Sequence, residues 1–573
     1  MGKKKLIFLT SVSLTAVMAF SACTSAPSPA PTAAPTAAPT AAATATPAAT
    51  STPASAPAPA ENEKIEFTLF YPPHPNVLDI NDNYATKWLE EKTGVHINWL
   101  VIPSEDVATR LTLVMANAND MPDMFYGGMS RAQVDLYGAQ GLLIPLEEFI
   151  NGPSVNYKDI ITKNPFVLQQ SRSYDGNVYF MARYYESVHV RHSGRQWINQ
   201  RWLDNLNLSM PQTTDEFYDV LVAFKEKDAN GNGDPNDEIP YIGTSNGWCG
   251  HILTFLMSSF VYCQPYYTGS PLIVEDGKIT MSAIQDGWKE GCKYYHKLYA
   301  EGLLDNESLT ITTDQVRALS SDPAGNRIGT YPGGIANENV DAASPDIFDY
   351  VTVPPLTGPT GLRQSPLEEF QAGPFFMISA KCADPERAFM WADAQCIDIV
   401  NALENGDFDW MNFWYGPEDD PYGWTRAAEG QLGMTGKPAY YKWNFQWGDN
   451  LNTHWYETFP INMRRPWKEM SVAETAEGVY NLEKVLYDAT VQNYEPYAVD
   501  KSLPVISMEE DASAEYATIR STVTTYLSES FAKFLTGEWN IDEMWDTYVQ
   551  ELDRIGVQRM MELAQVAYDR QYK

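Results

Sequence analysis

Apolar positions Ile65, Phe67, Leu69 and Tyr71 recur with period two and stop at Pro72-Pro73, which predicts a strand. The period then lengthens. A helix is expected from about Asn81 to Thr93, with Tyr84 and Trp88 on one face and Gly94 as its C-cap. Val95 to Val101 reads as a second strand, a helix around Val107, Leu111 and Val114 follows, and Asp123 to Tyr126 forms a short strand ended by Gly127-Gly128. This βαβαβ opening implies a parallel sheet with right-handed crossovers and ligand loops at the carboxyl ends of its strands.

A second unit begins near Gln196. Thr213 and Glu216 make a capping box ahead of Phe217, Val220, Leu221 and Phe224 at helical spacing. Phe375 to Ser379 reads as a buried strand, and Asp384-Pro385 opens a helix with proline in its first turn. Two terminal helices meet at Gly556, one carrying Trp545, Val549 and Leu552, the next Met560, Leu563 and Ala567.

The N-terminus follows another logic. Lys3, Lys4 and Lys5 precede fifteen mostly apolar residues, Leu6 to Phe20, too short to span a bilayer and suited to a signal-peptide h-region. Phe20-Ser21-Ala22-Cys23 resembles a bacterial lipobox with Phe in place of the usual Leu, which implies lipidation at Cys23. From Thr24 to Ala60 only Ala, Pro, Ser and Thr occur, with nine prolines in 37 residues. Such a stretch cannot bury a core and acts as a tether. Its reach is roughly 30 Å as coil and roughly 110 Å extended. The expected address is the extracytoplasmic face of a bacterial cell membrane.

Composition narrows the partners. The chain has 573 residues, 74 acidic against 40 basic, and a net charge of −34. That excess repels phosphate backbones, so nucleic acid is excluded as a partner. Besides Cys23 there are Cys249, Cys263, Cys292, Cys382 and Cys396, without CxxC spacing; buried thiols are expected, and a Cys249–Cys263 bridge is left open. His189 and His192 are expected to be solvated or hydrogen-bonded rather than metal ligands.

The richest local motif is Asp228-Ala-Asn230-Gly-Asn232-Gly-Asp234-Pro-Asn-Asp237-Glu238. Oxygen side chains at loop positions 1, 3 and 5, with glycine at 6, can wrap a hard cation, and calcium is the expected ion. Asp234 would offer its backbone carbonyl. Position 12 is Ile239, with the carboxylates placed early as Asp237 and Glu238, so the loop departs from an EF-hand. An Asn/Gly-rich turn without an ion uses the same residues.

These features acquire a common meaning in the runs "DMPDMFYGGMSRAQVDLYGAQGLLIPLEEFI", "RQWINQRWLDNLNLSMPQTTDEFYDVLVAFKEKDANGNGDPNDEIP", "FFMISAKCADPERAFMWA" and "GVQRMMELAQVAYDRQY". Over about residues 64–573 they resemble the lipoprotein solute-binding proteins of carbohydrate ABC importers, maltose-binding-type proteins and their larger calcium-loop relatives. The resemblance implies an α/β, two-lobed periplasmic-binding-protein-like fold with a ligand cleft between the lobes. The expected division is 1–22 signal peptide, 23–63 lipidated cysteine and tether, 64–185 with about 360–435 as lobe 1, and about 186–359 with 436–573 as lobe 2. It also implies a monomeric, non-catalytic receptor that hands an oligosaccharide to separate permease subunits.

Sugar faces stack on aromatic rings while planar polar groups take the hydroxyls. Phe408 to Phe459 holds 15 aromatics in 52 residues, Trp410, Trp414, Trp424, Trp443, Trp447 and Trp455 among them, and is expected to contribute a platform. Any single tryptophan there is better accounted for by core packing. By position in the family, Tyr126 and Arg131 after the third strand, Trp248 and Asn246 in "GTSNGWCG", Tyr331 in "GTYPGGI" and Tyr71 are the expected ligand residues. The rival classes are a surface glycoside hydrolase, needing two carboxylates ~5–9.5 Å apart, and a non-transport carbohydrate-binding lipoprotein. No pair of acids is singled out by the sequence, and no Walker loop is present.

Overall fold

Strand β1 (Ile65–Tyr71) becomes buried on both faces toward its carboxyl end, where Leu69, Phe70 and Tyr71 are almost fully enclosed. A strand covered on both sides fits a parallel sheet packed between helices. The computed structural model describes residues 65–573 apart from 118, 184–187, 265–270, 369–371, 446–448, 457–469 and 474–479. The signal peptide, Cys23 and tether lie outside the described residues, as does Trp447.

Helix α1 (Tyr84–Thr93) starts where the Asn83 side chain accepts from the Ala85 amide and ends at Gly94, whose φ of 68° suits glycine. It returns the chain to β2 (Val95–Val101), parallel to β1 from Ile65↔Val95 to Tyr71↔Val101. Helix α2 (Val107–Ala116) leads to β3 (Met124–Tyr126), parallel to β1 on its other side. Helix α3 (Arg131–Ala139) opens with a Ser130/Gln133 capping box. Strand β4 (Met181–Arg183) completes this pass.

The chain then crosses to a second sheet of β5 (Gln196–Asn199), β6 (Ile239–Tyr241), β7 (Ile328–Pro332) and β8 (Tyr350–Val353), and returns to the first as β9 (Gly373–Ile378). The orders are β2-β1-β3-β9-β4 and β8-β5-β7-β6. The βαβαβ reading therefore matches the first sheet, and the Thr213 capping box starts the helix Thr214–Glu226 of the second. A mixed α/β fold results, with these two principal sheets and, among the described residues, three two-stranded ones.

Each sheet has its own core. One cluster gathers Phe67 to Ala182 with Ala372 to Tyr456; the second sheet packs against two, one running from Ile198 to Ala567 with the helices Glu510–Thr536, Ile541–Ile555 and Val557–Tyr572, the other holding Trp197, Ile328, Tyr331 and Tyr350. Tyr441, Phe445, Leu451, Trp455 and Tyr456 pack in the first core. Their reason is aromatic contact: Trp455 meets Trp99 edge-on at 5.2 Å, and Tyr456 stacks on His74 at 4.5 Å. Asp393, at the end of the helix Pro385–Ala394, accepts from Ser154 Oγ and the amides of Val155, Asn156 and Tyr157, so one buried carboxylate caps the helix Asn156–Lys163. The five cysteines among the described residues are unbridged.

Candidate functional site

Strand directions fix where a ligand can meet both sheets. β9 is antiparallel to β3 and to β4, so β4 runs parallel to β3, and Tyr71, Val101, Tyr126 and Arg183 all end at one edge. In the second sheet β6 and β7 are parallel, and Gln196 at the start of β5 pairs with Pro332 and Val353 at the ends of β7 and β8. Residues 184–195 join the end of β4 to the start of β5, and residues 354–372 join the end of β8 to the start of β9. Both crossings thus connect the two carboxyl edges, and the cleft lies there.

The crossings are stitched together. The Glu368 amide donates to Arg191 O at 2.8 Å, Ser193 Oγ donates to the Glu368 carboxylate, and His192 Nδ1 lies 2.9 Å from Ser365 Oγ. His189 Nε2 sits 3.5 Å from the Glu483 carboxylate. Both histidines are therefore buried and partnered rather than solvated.

On the first edge Tyr71, Trp99, Tyr126 and Phe375 form a shelf of rings. Tyr71 meets Trp99 at 5.0 Å and Tyr126 at 6.2 Å, and Tyr126 meets Phe375 at 4.7 Å. Tyr71 and Tyr126 are each 1% exposed, and the Tyr126 hydroxyl donates to Gln395 Oε1 at 2.7 Å, so these two rings form the floor of the shelf. Arg131 is committed locally: it pairs with Asp135 at 2.8 Å and donates to the Gln170 and Arg172 carbonyls. Of the aromatic-rich segment, Trp414 and Trp424 are enclosed, Trp443 is half-buried, and Trp410 packs on Trp88 of α1 at 4.9 Å. Toward its far end Trp455 reaches the shelf, edge-on to Tyr126 at 6.2 Å, and Tyr456 stacks on His74.

On the second edge Trp248 is half-buried in the loop after β6. Its ring lies over Gly334, where a Cβ would come within 2.3 Å, so only glycine admits it. The Trp248 amide donates to Glu338 Oε1 at 3.0 Å, and the Gly334 amide to Trp248 O at 2.7 Å. Asn246 is exposed and its Oδ1 accepts from the Thr313 amide. Tyr331 is fully enclosed, with its hydroxyl on Ala336 O. The same loop spells Gly243-x-Ser245-x-Gly247, the sequence form of a nucleophile elbow. Ser245 Oγ donates to the Thr310 and Ile311 carbonyls.

The sequence passed over Trp99, Arg183, Phe375 and Glu338. The signal for Arg183 was available: a lone cation within the aromatic run Tyr179-Phe180-Met181-Ala182-Arg183-Tyr184-Tyr185.

The oxygen-rich loop lies elsewhere, ahead of β6 and beside Arg327, whose Nε donates to Asp237 O at 2.9 Å. It thus occupies the amino ends of β6 and β7, opposite the cleft. Asn230 and Asn232 donate their amides to the Asp237 carboxylate, and Glu238 Oε1 accepts from the Ala229 amide at 2.8 Å. Asp228 Oδ1 and Glu238 Oε2 are buried without a hydrogen-bond partner, and burial raises the Glu238 pKa. Two orphaned oxygens in one loop fit a hard cation. Among the described residues, no group of three or more His, Cys, Asp or Glu is arranged to hold a metal.

Burial pushes the Glu338 carboxyl up to about 7, against the opposing pull of the Trp248 amide and Arg317. A carboxyl whose folded pKa is raised holds its proton more tightly in the folded state, so its contribution to stability declines as pH rises from about 4.5 to about 7. Glu338→Gln, which keeps an acceptor for Trp248, should gain roughly 1–3 kcal/mol over wild type at pH 8 and little at pH 4.5. Urea unfolding at both values checks this; a gain independent of pH would contradict it.

Residues 74–394 match the family model described as bacterial extracellular solute-binding protein. The fructooligosaccharide ABC transporter substrate-binding protein FusA of Streptococcus pneumoniae is 27% identical over 505 residues, covering 86% of this chain and 87% of that one. Lipoprotein LipO of Bacillus subtilis is 27% identical over 318 residues, 53% of this chain and 57% of that one. In fold, the chain is similar to FusA in complex with kestose, with a TM-score of 0.69 at 24% identity, covering 88% and 99% of the two chains. A solute-binding protein of Bifidobacterium longum infantis gives 0.71 at 21%, covering 89% and 100%. Those neighbours share this chain's fold, and the chain belongs to the bacterial extracellular solute-binding protein family.

Proposed function

We propose that this chain is a non-catalytic, monomeric receptor that closes its two lobes on an oligosaccharide and presents it to the permease of an ABC importer. The observation that carries this reading is that an aromatic shelf and a glycine-seated tryptophan lie at the two carboxyl edges that the crossing segments join. Rings of this kind stack on sugar faces, and crossing segments allow hinged closure. FusA, named for fructooligosaccharides, and YtcQ of Bacillus subtilis, named for polygalacturonan and rhamnogalacturonan, support a glycan ligand. Ligand drives closure only through its better affinity for the closed arrangement.

Trp248, Asn246, Tyr331, Tyr71, Tyr126, Arg131, Trp410 and Trp414 were the residues expected from sequence, and Trp248 is the one we retain for direct stacking. Titration calorimetry with a panel of neutral and acidic oligosaccharides should yield a saturable heat without turnover. Trp248→Ala should weaken that binding by roughly 1–3 kcal/mol while leaving unfolding of the apo protein nearly unchanged. Released sugar products in the same cell, or unaltered affinity in the variant, would refute the receptor or the stacking role respectively.

The loop 228–238 is assigned a structural calcium ion held by Asp228, Asn230, Asn232, Asp237 and Glu238, with the Asp234 carbonyl. A FusA structure described as an EF-hand mutant supports a cation loop in that relative. Chelator should lower Tm, added Ca²⁺ should restore it in proportion to RT ln(1 + [Ca²⁺]/Kd), and Asp228→Ala should abolish the dependence with sugar affinity retained. A melting curve indifferent to chelator would leave an ion-free turn.

Cys23 is assigned the lipid anchor, a reading that the LipO relative supports. Cys23→Ala should shift the protein out of the membrane fraction or leave it unprocessed. Wild-type protein recovered wholly in the medium would exclude the anchor.

A further inference from the structure

Arg183 closes β4 at the cleft edge, half-buried, with its guanidinium 5.4 Å over the ring of Phe375. That contact uses the cation's face and leaves its five N–H groups available. Among the described residues none is given to it as an acceptor, in a chain with 74 carboxylates to choose from. Among the described residues, the titratable groups that feel it, Tyr126, whose pKa burial raises, and His74, whose pKa is lowered by burial and then by Arg183 itself, are neutral near pH 7.

The space beside it is open. Gly373 is the register partner of Arg183, and a Cβ built there meets nothing within 4 Å. Gly127, at φ 74°, leaves out a side chain that would lie 3.8 Å from the Phe375 ring. Two glycines and one ring thus frame a gap into which an unspent guanidinium opens.

We infer that Arg183 is a specificity-determining residue of the ligand cleft, gripping two neighbouring oxygens of one sugar ring while that ring packs against Phe375. This deepens the oligosaccharide reading and rests on it. A planar fork of donors matches paired oxygens, either a vicinal diol or a carboxylate. Lysine cannot reproduce that geometry.

Calorimetry on the folded protein would use kestose and trigalacturonate as probes at low and high salt. Arg183→Gln should weaken the probe that wild type binds by at least roughly tenfold, and Arg183→Lys by several-fold, with apo Tm unchanged. Gly373→Val, which fills the gap without touching the guanidinium, should produce a comparable loss. Affinity that falls steeply with salt assigns the oxygens to a carboxylate, and salt-independent affinity assigns them to a diol. Wild-type binding that survives Arg183→Gln and Gly373→Val within about twofold overturns this inference and leaves the receptor reading intact. A wild-type protein that binds neither probe, nor any glycan of a wider neutral and acidic panel, overturns both.

Discussion

A guanidinium removed wholly from water has to find acceptors, or the folded state loses several kcal/mol. Arg195 is in that position, fully buried at the start of β5, where the first crossing enters the second sheet. It donates to His189 O at 2.5 Å, to Gly334 O at 2.9 Å and to Thr490 Oγ1 at 2.8 Å, and it lies over the Tyr494 ring. Burial lowers its pKa to about 10, so it stays charged at neutral pH. One side chain therefore ties the crossing, the glycine turn beneath Trp248 and a third stretch of chain near residue 490. These three acceptors come from segments far apart in sequence, and none can move away without stranding a buried charge.

That anchoring explains how the two edges differ. The first sheet offers broad apolar rings whose positions are set by one another, Tyr71 on Trp99, Trp99 on Trp455, Tyr126 on Phe375. Such a shelf is shaped by packing and tolerates little change in volume. The second edge depends on hydrogen bonds and on a missing Cβ: Trp248 is placed by Glu338, by the Gly334 amide and by the absence of a side chain at Gly334. The cation loop stands outside this arrangement, at the amino ends of the same sheet, so an ion there would brace the lobe without contacting ligand.

Local order was legible where short-range physics dominates. β1, β2 and the first crossover helix follow their apolar periods; Gly94 ends that helix because left-handed backbone suits glycine, and Thr213 caps the next unit's helix. The site was less legible because exposure is a tertiary property. Tyr126 sits at the end of β3 as expected, but its hydroxyl is satisfied by Gln395, 269 residues away. Trp414 and Trp424 share a segment with Trp455, yet only Trp455 meets Trp99, and periodicity cannot distinguish them. Arg183 looked ordinary because what sets it apart, the want of an acceptor among the described residues, is a tertiary property that no spacing encodes. The Gly243-x-Ser245-x-Gly247 run shows the converse, a spacing legible in the sequence whose serine hydroxyl is bonded to backbone carbonyls.

Two carboxyls at the converging edges, Glu338 beside Trp248 and Glu368 in the second crossing, are both raised to about 7 by burial. Each is opposed by a nearby cation and a donor: Arg317 and the Trp248 amide for one, Arg195 and the Ser193 hydroxyl for the other. Both therefore bind protons more tightly in the folded state, and both lose stabilising effect as pH climbs from about 4.5 toward 7. The chain's net charge of −34 pushes the same way, since self-repulsion grows as carboxylates ionise. Mild acid thus favours the folded arrangement where the crossings join the two sheets, and the groups that feel it are the ones that position Trp248 and link the crossings.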